Sequence, residues 1–325
     1  MVNEVKMIAF GPVPSRRLGR SLGINNIPPK ICTYSCIYCQ LGRTPDMRVT
    51  REAFYKPEEV LQEAEKKVKE AKERREPIDY LTFVPDGEPT LDINLGKEIE
   101  LLKSLGIKIA VITNASLIWK EDVRDDLSKA EWVSLKIDAL NNDLWRKINR
   151  AHGSLKLRKI LEGISEFAHT FNSELATETM LVQDINDHAE ELEKIADFIA
   201  RLKPKKSYIS IPTRPPAEKW VEPATEHTIN IAYQLFSEKS INVEYLIGYE
   251  GNAFAFTGNV EEDLLSITSV HPMREEGANE FLTKAKADWD IIEKLINEDK
   301  LIEVKYKNKK FYIRKLLDNK KRVRK

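Results

Sequence analysis

The stretch KICTYSCIYCQLG, residues 30–42, decides how this chain is interpreted, because it holds all three cysteines of a 325-residue sequence. Cys32, Cys36 and Cys39 lie close together, and their odd number prevents complete pairing. A disulfide would leave one thiol over and would be disfavoured in a reducing cytosol. The remaining interpretations are a zinc site, an iron–sulfur cluster and three cysteines buried as small apolar residues.

Ligand number separates these interpretations. Structural zinc usually takes four protein ligands, and the histidine nearest in sequence is the distant His152, which only folding could bring in. Burial as apolar residues fits poorly, because the flanking residues form no core-like pattern: Thr33, Tyr34, Ser35, Tyr38 and Gln40. An iron–sulfur cubane normally has one thiolate on each of four irons. Three cysteines would leave one iron without a protein ligand, and that open iron would be the functional feature.

The spacing Cys-x3-Cys-x2-Cys, with Tyr38 directly before the last cysteine, resembles that of the radical S-adenosylmethionine (radical SAM) superfamily. The resemblance implies that Cys32, Cys36 and Cys39 hold a [4Fe-4S] cluster. It implies that the open iron binds the amino and carboxylate groups of S-adenosylmethionine (SAM). Reductive cleavage of SAM there gives methionine and a 5′-deoxyadenosyl radical. Tyr38 is expected to pack beside the cluster or the adenine.

The resemblance to the superfamily also implies an α/β fold of one particular kind, a partial (β/α)6 TIM-like barrel. The sequence pattern agrees with this fold. Strand and helix patterns alternate through six units between residues 20 and 238, which indicates a parallel sheet covered by helices. The first helix, residues 56–73, places apolar side chains at helical spacing. The predicted strands span residues 20–26, 78–85, 107–113, 132–138, 174–182 and 207–212. We therefore assign residues 1–240 to the barrel.

Two strand ends carry further resemblance to SAM-binding motifs. The second strand ends in VPDGEPTL, where many radical SAM enzymes have Gly-Gly-Glu-Pro; Asp86 replaces the first glycine, while Gly87 and Glu88 match. The resemblance implies that Gly87 and Glu88 bind the ammonium group of SAM, whereas a plain surface turn is the alternative. The third strand ends in Thr113-Asn114, and Asn114 is expected beside the cofactor.

The fourth strand, WVSLKID (residues 132–138), places Ser134, Lys136 and Asp138 on one face. A buried barrel strand should be apolar on both faces, and burying such groups costs several kcal/mol unless they are paired or ligand-bound. This strand resembles the ribose- and carboxylate-binding strand of glycyl-radical activating enzymes, which implies that Ser134 and Lys136 bind SAM; a structural Lys–Asp pair is the alternative. Glu178, on the fifth strand, is a candidate proton acceptor or substrate ligand. Lys136 and Glu178 are thus the candidate catalytic residues.

Two basic runs lie near these motifs. RKINRAHG, residues 146–153, could neutralise the SAM carboxylate or a substrate phosphate, or form a solvated helix end. GPVPSRRLGRSLG, residues 11–23, combines glycines and arginines that suit an anion but also suit an ordinary turn before the first strand.

The pattern changes after residue 240. Residues 241–272 are predicted to form a connecting segment, and residues 273–325 a winged-helix-like domain of two helices and a basic hairpin with a basic tail. From Lys300 to Lys325 there are twelve basic and two acidic residues, within a chain of net charge zero. This asymmetry favours nucleic-acid contact. The alternatives are a cap that closes the barrel with a solvated tail, or a protein-binding domain.

Composition sets broader bounds. Hydrophobic residues make up 42% of the chain, which is typical of a globular protein. No apolar run approaches the ~18 residues that a membrane span needs, and the N-terminus lacks a signal-peptide pattern. We therefore expect a cytoplasmic protein with no membrane partner.

The function prediction rests on one further resemblance. Motifs from about residue 8 to residue 217 resemble a group of mostly archaeal radical SAM proteins, described as iron–sulfur oxidoreductases and grouped with the tRNA-modifying wyosine synthase; the longest is FGPVPSRRLGRSLGINNIPPKICTYSCIYCQLGRT, residues 10–44. Wyosine synthase holds a second cluster with additional cysteines, and this sequence has none to spare.

We predict a radical SAM enzyme that modifies a tRNA base and takes electrons from a low-potential donor such as ferredoxin. A radical SAM enzyme acting on a peptide or protein is the alternative within this class. A winged-helix DNA-binding regulator that senses redox state through an iron–sulfur or zinc site is the alternative from another class.

Overall fold

The computed structural model describes residues 7–248, 251–252 and 254–315. The strands, in chain order, are β1 (Ala9–Ser15), β2 (Gly19–Ile24), β3 (Ile31–Cys32), β4 (Asp46–Met47), β5 (Tyr80–Phe83), β6 (Lys108–Thr113), β7 (Trp132–Lys136), β8 (Glu174–Met180), β9 (Lys206–Ser210), β10 (Val243–Leu246), β11 (Met273–Arg274), β12 (Leu301–Tyr306) and β13 (Lys309–Arg314). The α-helices are α1 (Pro57–Glu73), α2 (Leu95–Leu102), α3 (Glu121–Leu127), α4 (Asn142–Asn149), α5 (Leu157–Thr170), α6 (Ala189–Leu202), α7 (Glu226–Glu238), α8 (Val260–Val270), α9 (Glu275–Ala285) and α10 (Asp290–Asn297).

The main sheet has eight strands in the order β1-β2-β5-β6-β7-β8-β9-β10. Every neighbouring pair from β2 to β10 is parallel, and β1 alone is antiparallel, to β2. Within the described residues the two edge strands do not pair with each other, so the sheet is a partial barrel. The predicted fold class is confirmed, and the six predicted strands correspond to β2 and β5–β9.

The sheet adds one strand at each edge to the six predicted ones: β1, within residues 1–240, and β10, past residue 240. β10 pairs in parallel with β9, Val243 opposite Ser207, so the sheet continues six residues past the predicted boundary at residue 240. The reason is that α7 connects β9 to β10 in one more strand–helix–strand unit, which keeps the new strand in the same sheet. Residues 243–246 therefore belong to the barrel and not to a connecting segment.

The two faces of the sheet differ in polarity. The face that packs against the helices is apolar, with Leu81, Val111, Val133 and Leu135 fully buried in the main core. Period-two alternation places Ser134 and Lys136 on the opposite face, as the sequence predicts. The polar groups of the fourth strand therefore line the inside of the barrel.

The C-terminal elements form a second sheet, in the order β11-β13-β12, with α8, α9 and α10 packed around it. The two predicted helices and the hairpin are present. Helix α8 lies in the predicted connecting segment, yet Leu264 and Ile267 belong to the same apolar cluster as Phe281 and Tyr312. That cluster also contains Phe10 of β1. The winged-helix assignment stays a prediction, and residues 316–325 of the basic tail lie outside the described residues.

The β12–β13 hairpin lies near the carboxyl ends of the barrel strands. The Tyr306 hydroxyl donates to the carbonyl oxygen of Pro212, 3.2 Å away, in the segment that follows β9. Lys307 lies 3.6 Å from a carboxylate oxygen of Glu222 in the same segment. None of the described helices combines the length and the apolar character that crossing a bilayer requires.

Candidate active site

The cysteine loop, residues 30–42, follows β2 and contacts the loop that follows β5. The backbone N–H of Lys30 donates to the carbonyl of Asp86 at 2.7 Å, and that of Glu88 donates to the carbonyl of Ile31 at 3.2 Å. The Lys30 ammonium donates to the carbonyls of Leu41 and Gly42, the latter at 2.8 Å. These bonds join the beginning of the cysteine loop to its end and to the DGEP motif.

Glu88 is buried and ties together the ends of β5 and β6. One carboxylate oxygen accepts from the backbone N–H of Thr90 at 3.1 Å and from the hydroxyls of Thr90 and Thr113, each at 2.6 Å. The other accepts from the backbone N–H of Asn114 at 2.8 Å. Burial raises the pKa of Glu88, although these hydrogen bonds oppose the shift. Glu88 thus holds the two predicted SAM-binding loops in register.

Asn114 contacts the cysteine loop directly. Its side-chain amide donates to the hydroxyl of Thr33 at 2.9 Å and approaches the sulfur of Cys32 at 3.5 Å. Its side-chain oxygen accepts from the backbone N–H of Ser116 at 2.9 Å. The structure therefore brings Glu88, Asn114 and Cys32 into one cluster, which the sequence predicts.

The three thiols are free and partly buried. Burial raises the pKa of Cys36 to about 12 and the pKa of Cys32 well above its usual range, and a nearby Glu88 adds to the shift at Cys32. Thiolates, the form that binds metal, therefore need a compensating positive charge at this place. An iron–sulfur cluster supplies such a charge, so this donor set fits it.

A cluster and a single metal ion need different ligand geometry. Across residues 7–248, 251–252 and 254–315, no three His, Cys, Asp or Glu side chains are grouped so that they could hold a metal ion. A cubane binds each thiolate through a different iron, so its ligands need not converge on one point.

A polar network extends from Cys36 toward the barrel interior. The side-chain amide of Asn149, at the end of α4, approaches the Cys36 sulfur at 3.5 Å and donates to Asp138 at 2.8 Å. The Tyr38 hydroxyl also donates to Asp138. The Lys136 ammonium lies 5.0 Å from the centre of the Tyr38 ring. Tyr38 and Lys136 are thus neighbours, as expected of two residues in one site.

Lys136 forms its ion pair with Glu178 and not with Asp138, the partner in the alternative structural Lys–Asp pair. The Lys136 ammonium donates to a Glu178 oxygen at 2.9 Å, Arg17 forms a second ion pair with Glu178, and the Ser210 hydroxyl donates at 3.0 Å. Adjacent strands β7 and β8 place Lys136 directly opposite Glu178. Ser134 is buried on the same face of β7.

The ion pairs decide what Glu178 can do chemically. Burial alone would raise the pKa of Glu178, but Arg17 and Lys136 outweigh it and hold the pKa well below its usual range. The pKa of Lys136 is raised, because Glu178 and Asp138 outweigh the effect of burial. A carboxylate with so low a pKa is a weak base, which argues against proton acceptance by Glu178.

The two arginines of the basic run at residues 146–153 bind other groups of the protein. Arg146 donates to the carbonyls of Ala151 and Leu155, at 2.8 and 2.6 Å, so it holds the turn after α4. Arg150 pairs with Glu218 at 2.5 Å. Asn149 and Glu218 are not among the predicted site residues, because the surrounding sequence gives no local signal for either.

Comparison with known proteins agrees with this geometry. The model of the radical SAM superfamily matches residues 26–199. The UPF0026 protein MJ1312 of Methanocaldococcus jannaschii is 49% identical over 318 residues, covering 97% of this chain and 98% of that protein.

Solved structures that share the fold include TYW1 and SuiB. TYW1 with a lysine-pyruvate adduct bound has a TM-score of 0.52 and 18% identity, covering 68% of this chain and 75% of that one. SuiB of Streptococcus suis bound to S-adenosylmethionine has a TM-score of 0.51 and 14% identity, covering 69% and 49%. Since the family model matches more than half of its residues, this chain belongs to the radical SAM superfamily, whose members are enzymes that use a [4Fe-4S] cluster and SAM.

Proposed function

We propose that this enzyme modifies a base of tRNA by radical chemistry. The observation that carries the proposal is the position of the basic β12–β13 hairpin at the end of the sheet where the cysteine loop lies. The Tyr306 hydroxyl contacts Pro212 there, and Lys305, Lys307 and Lys309 are exposed on the hairpin. A nucleic acid bound by these lysines would reach the barrel mouth. The resemblance to the wyosine synthase group supports a tRNA substrate.

The site residues have distinct proposed roles. Cys32, Cys36 and Cys39 would hold the cluster, which together with SAM supplies a 5′-deoxyadenosyl radical when an electron arrives from a donor such as ferredoxin. The residues proposed to position SAM are Tyr38, Gly87, Glu88, Asn114, Ser134 and Lys136. Glu178 would bind the substrate and hold Lys136 in its charged form. Such a radical requires an enclosed site, which would keep water and stray C–H bonds away from it.

The radical step has a direct test. Anaerobically reconstituted protein, incubated with dithionite and SAM, should release 5′-deoxyadenosine and methionine. The matched variant Cys36→Ala should lose the cluster absorbance and the product together. Well-loaded wild-type protein that forms no 5′-deoxyadenosine would contradict the proposed reaction.

The tRNA substrate needs a separate test. Binding of labelled tRNA should weaken by roughly tenfold or more in the triple variant Lys305→Gln, Lys307→Gln, Lys309→Gln, because each lost phosphate contact lowers affinity and its salt dependence. The control is Lys66→Gln, Lys69→Gln, Lys72→Gln, which removes three exposed lysines of α1. Equal binding by the two variants and the wild type would argue against the hairpin as an RNA contact and would favour a peptide or protein substrate.

A further inference from the structure

We infer that Trp220 is a stacking platform for a nucleobase of the RNA substrate, beside the mouth of the barrel. The inference rests on the proposed function and names a binding subsite within it. An aromatic ring that lies flat against a base is the usual means by which proteins hold an unpaired nucleotide.

The exposure of Trp220 is the first observation. Its side chain is 53% exposed, the largest value among the exposed large hydrophobic residues in the described part of the chain. Its neighbour Lys219 is also exposed. A large aromatic ring left this open in a folded protein is more informative than an exposed aliphatic side chain, because its burial would contribute more to stability.

The second observation is that the turn carrying Trp220 is attached to the cysteine loop. The backbone N–H of Glu218 donates to the carbonyl of Ile37, 3.1 Å away, between Cys36 and Cys39. The backbone N–H of Val221 donates back to the carbonyl of Glu218 at 3.0 Å, which closes the turn. Trp220 therefore occupies a fixed place two residues from a direct contact with the cysteine loop.

Two arginine side chains bind Glu218, in the turn that carries Trp220. The Glu218 carboxylate, itself buried, accepts from Arg43 at 2.8 and 3.0 Å and from Arg150 at 2.5 Å. The side chain of Arg43 is 71% exposed, so it can contact a ligand while it stays paired. Guanidinium groups of this kind bind phosphate and stack on bases.

The third observation is that the basic hairpin also lies near this segment. Lys307 lies 3.6 Å from Glu222, two residues after Trp220. Along the chain, Trp220 thus lies between Glu218, which contacts the cysteine loop, and Glu222, which lies near the β12–β13 hairpin. An RNA strand whose phosphates contact the hairpin would pass over the Trp220 ring before its target base enters the barrel.

The experiment compares four proteins by titration of labelled tRNA: wild type, Trp220→Ala, Trp220→Phe and Trp119→Ala. Trp119 is the matched control, because its side chain is 39% exposed and also lies near two lysines, Lys120 and Lys159. We expect Trp220→Ala to bind about 5- to 150-fold more weakly, the range for loss of one base–aromatic stack. Trp220→Phe should keep most of the affinity, and Trp119→Ala should match the wild type. Thermal unfolding of each variant verifies that it is folded.

Three other outcomes of the tRNA titration would contradict the inference. If the wild type binds tRNA and Trp220→Ala binds equally well, the stacking inference fails while the proposed function stands. If Trp220→Phe loses as much affinity as Trp220→Ala, stacking is not the contribution of Trp220. If the wild type itself does not bind tRNA, both the inference and the tRNA proposal are overturned.

Discussion

The carbonyl oxygen of Ile31 occupies the space in which a side chain on Gly87 would begin. A Cβ atom built on Gly87 would lie 1.8 Å from that oxygen and 2.8 Å from the carbonyl carbon of Ile31. Contacts this short with backbone atoms cannot be relieved by a rotamer change. Since Cys32 follows Ile31 directly, the missing side chain of Gly87 is what allows the DGEP loop to hold the first cysteine in place.

Replacing Gly87 should therefore displace the cysteine loop. We expect Gly87→Ala to lower the iron bound per protein after anaerobic reconstitution and to destabilise the fold by about 1–3 kcal/mol, as overpacking does. The control is Gly153→Ala, because a Cβ at Gly153 meets no atom within 4 Å. Iron content and urea unfolding check both effects. Full iron loading of Gly87→Ala would contradict the role we assign to this contact.

The Glu178 carboxylate pairs with two cations in the barrel interior, so replacing it should lower the free energy of unfolding. Glu178→Gln leaves Arg17 and Lys136 without their carboxylate, and we expect a loss of about 2–4 kcal/mol at pH 7. The pKa of Glu178 is depressed in the folded state. Its contribution is therefore complete above the unfolded carboxyl pKa of about 4.3 and declines as the pH falls below that value.

Urea unfolding of wild type and Glu178→Gln between pH 3 and pH 7 checks this sign. The difference between the two proteins should be largest at neutral pH and should narrow on acidification. The matched control is Glu190→Gln, which removes an exposed partner of Lys194 and should change stability little at any pH. A constant difference across the range would show that the charge of Glu178 is not what stabilises the fold.

Much of the site follows from local sequence rules. Period-two alternation in WVSLKID correctly assigns Ser134 and Lys136 to the barrel interior, and the position of Glu88 at a strand end correctly places it beside Asn114. The predicted enzyme class and cofactors are confirmed by family membership, which also argues against the redox-sensing regulator. The roles of the individual SAM-binding residues stay predictions.

Two kinds of feature could not be predicted from the sequence: contacts between residues far apart in the chain, and a strand with an unusual composition. Arg17 meets Glu178 across 161 residues of chain, and Asn149 meets Cys36 across 113, so neither contact has a local pattern. The strand β1 contains Pro12 and Pro14, which cannot donate to a neighbouring strand and are tolerated because β1 is an edge strand. Its Pro-rich sequence resembles a loop, so the sheet edge was not predicted.

Glu98 of α2 is fully buried beside other acids, which gives a second pH prediction of opposite sign. Burial, then the negative charges of Asp92 and Asp126, raise the pKa of Glu98, and burial likewise raises the pKa of Asp92. The folded state therefore keeps protons that the unfolded state loses above about pH 4.3, and stability falls as the pH rises from there toward the raised pKa.

The variant Glu98→Gln keeps the shape of the side chain and removes its ionisation. We expect it to increase the free energy of unfolding by about 1–2 kcal/mol at pH 8 and to have a smaller effect at pH 5. Glu100→Gln, on the exposed side of the same helix, is the control and should do neither. Urea unfolding at the two pH values measures the difference. A Glu98→Gln protein less stable at pH 8 than the wild type would show that an ionised Glu98 stabilises the fold.

Lys67 joins the barrel to the C-terminal elements and should be required for their attachment. Its ammonium is buried on α1, lies 3.0 Å from Glu70 and 3.7 Å from Asp263, and donates to the Thr257 hydroxyl at 3.2 Å. Lys67→Met would leave the buried Asp263 carboxylate without this cation, which we expect to cost about 2–4 kcal/mol. Lys69→Met, two residues along the same helix, removes a lysine that is 79% exposed and should leave the unfolding midpoint unchanged. The lost charge lies between the barrel and the C-terminal elements, so protease should cut Lys67→Met within residues 254–260 sooner than it cuts Lys69→Met. Limited proteolysis measures this difference. Equal cleavage of the two variants would show that Lys67 does not hold the C-terminal elements to the barrel.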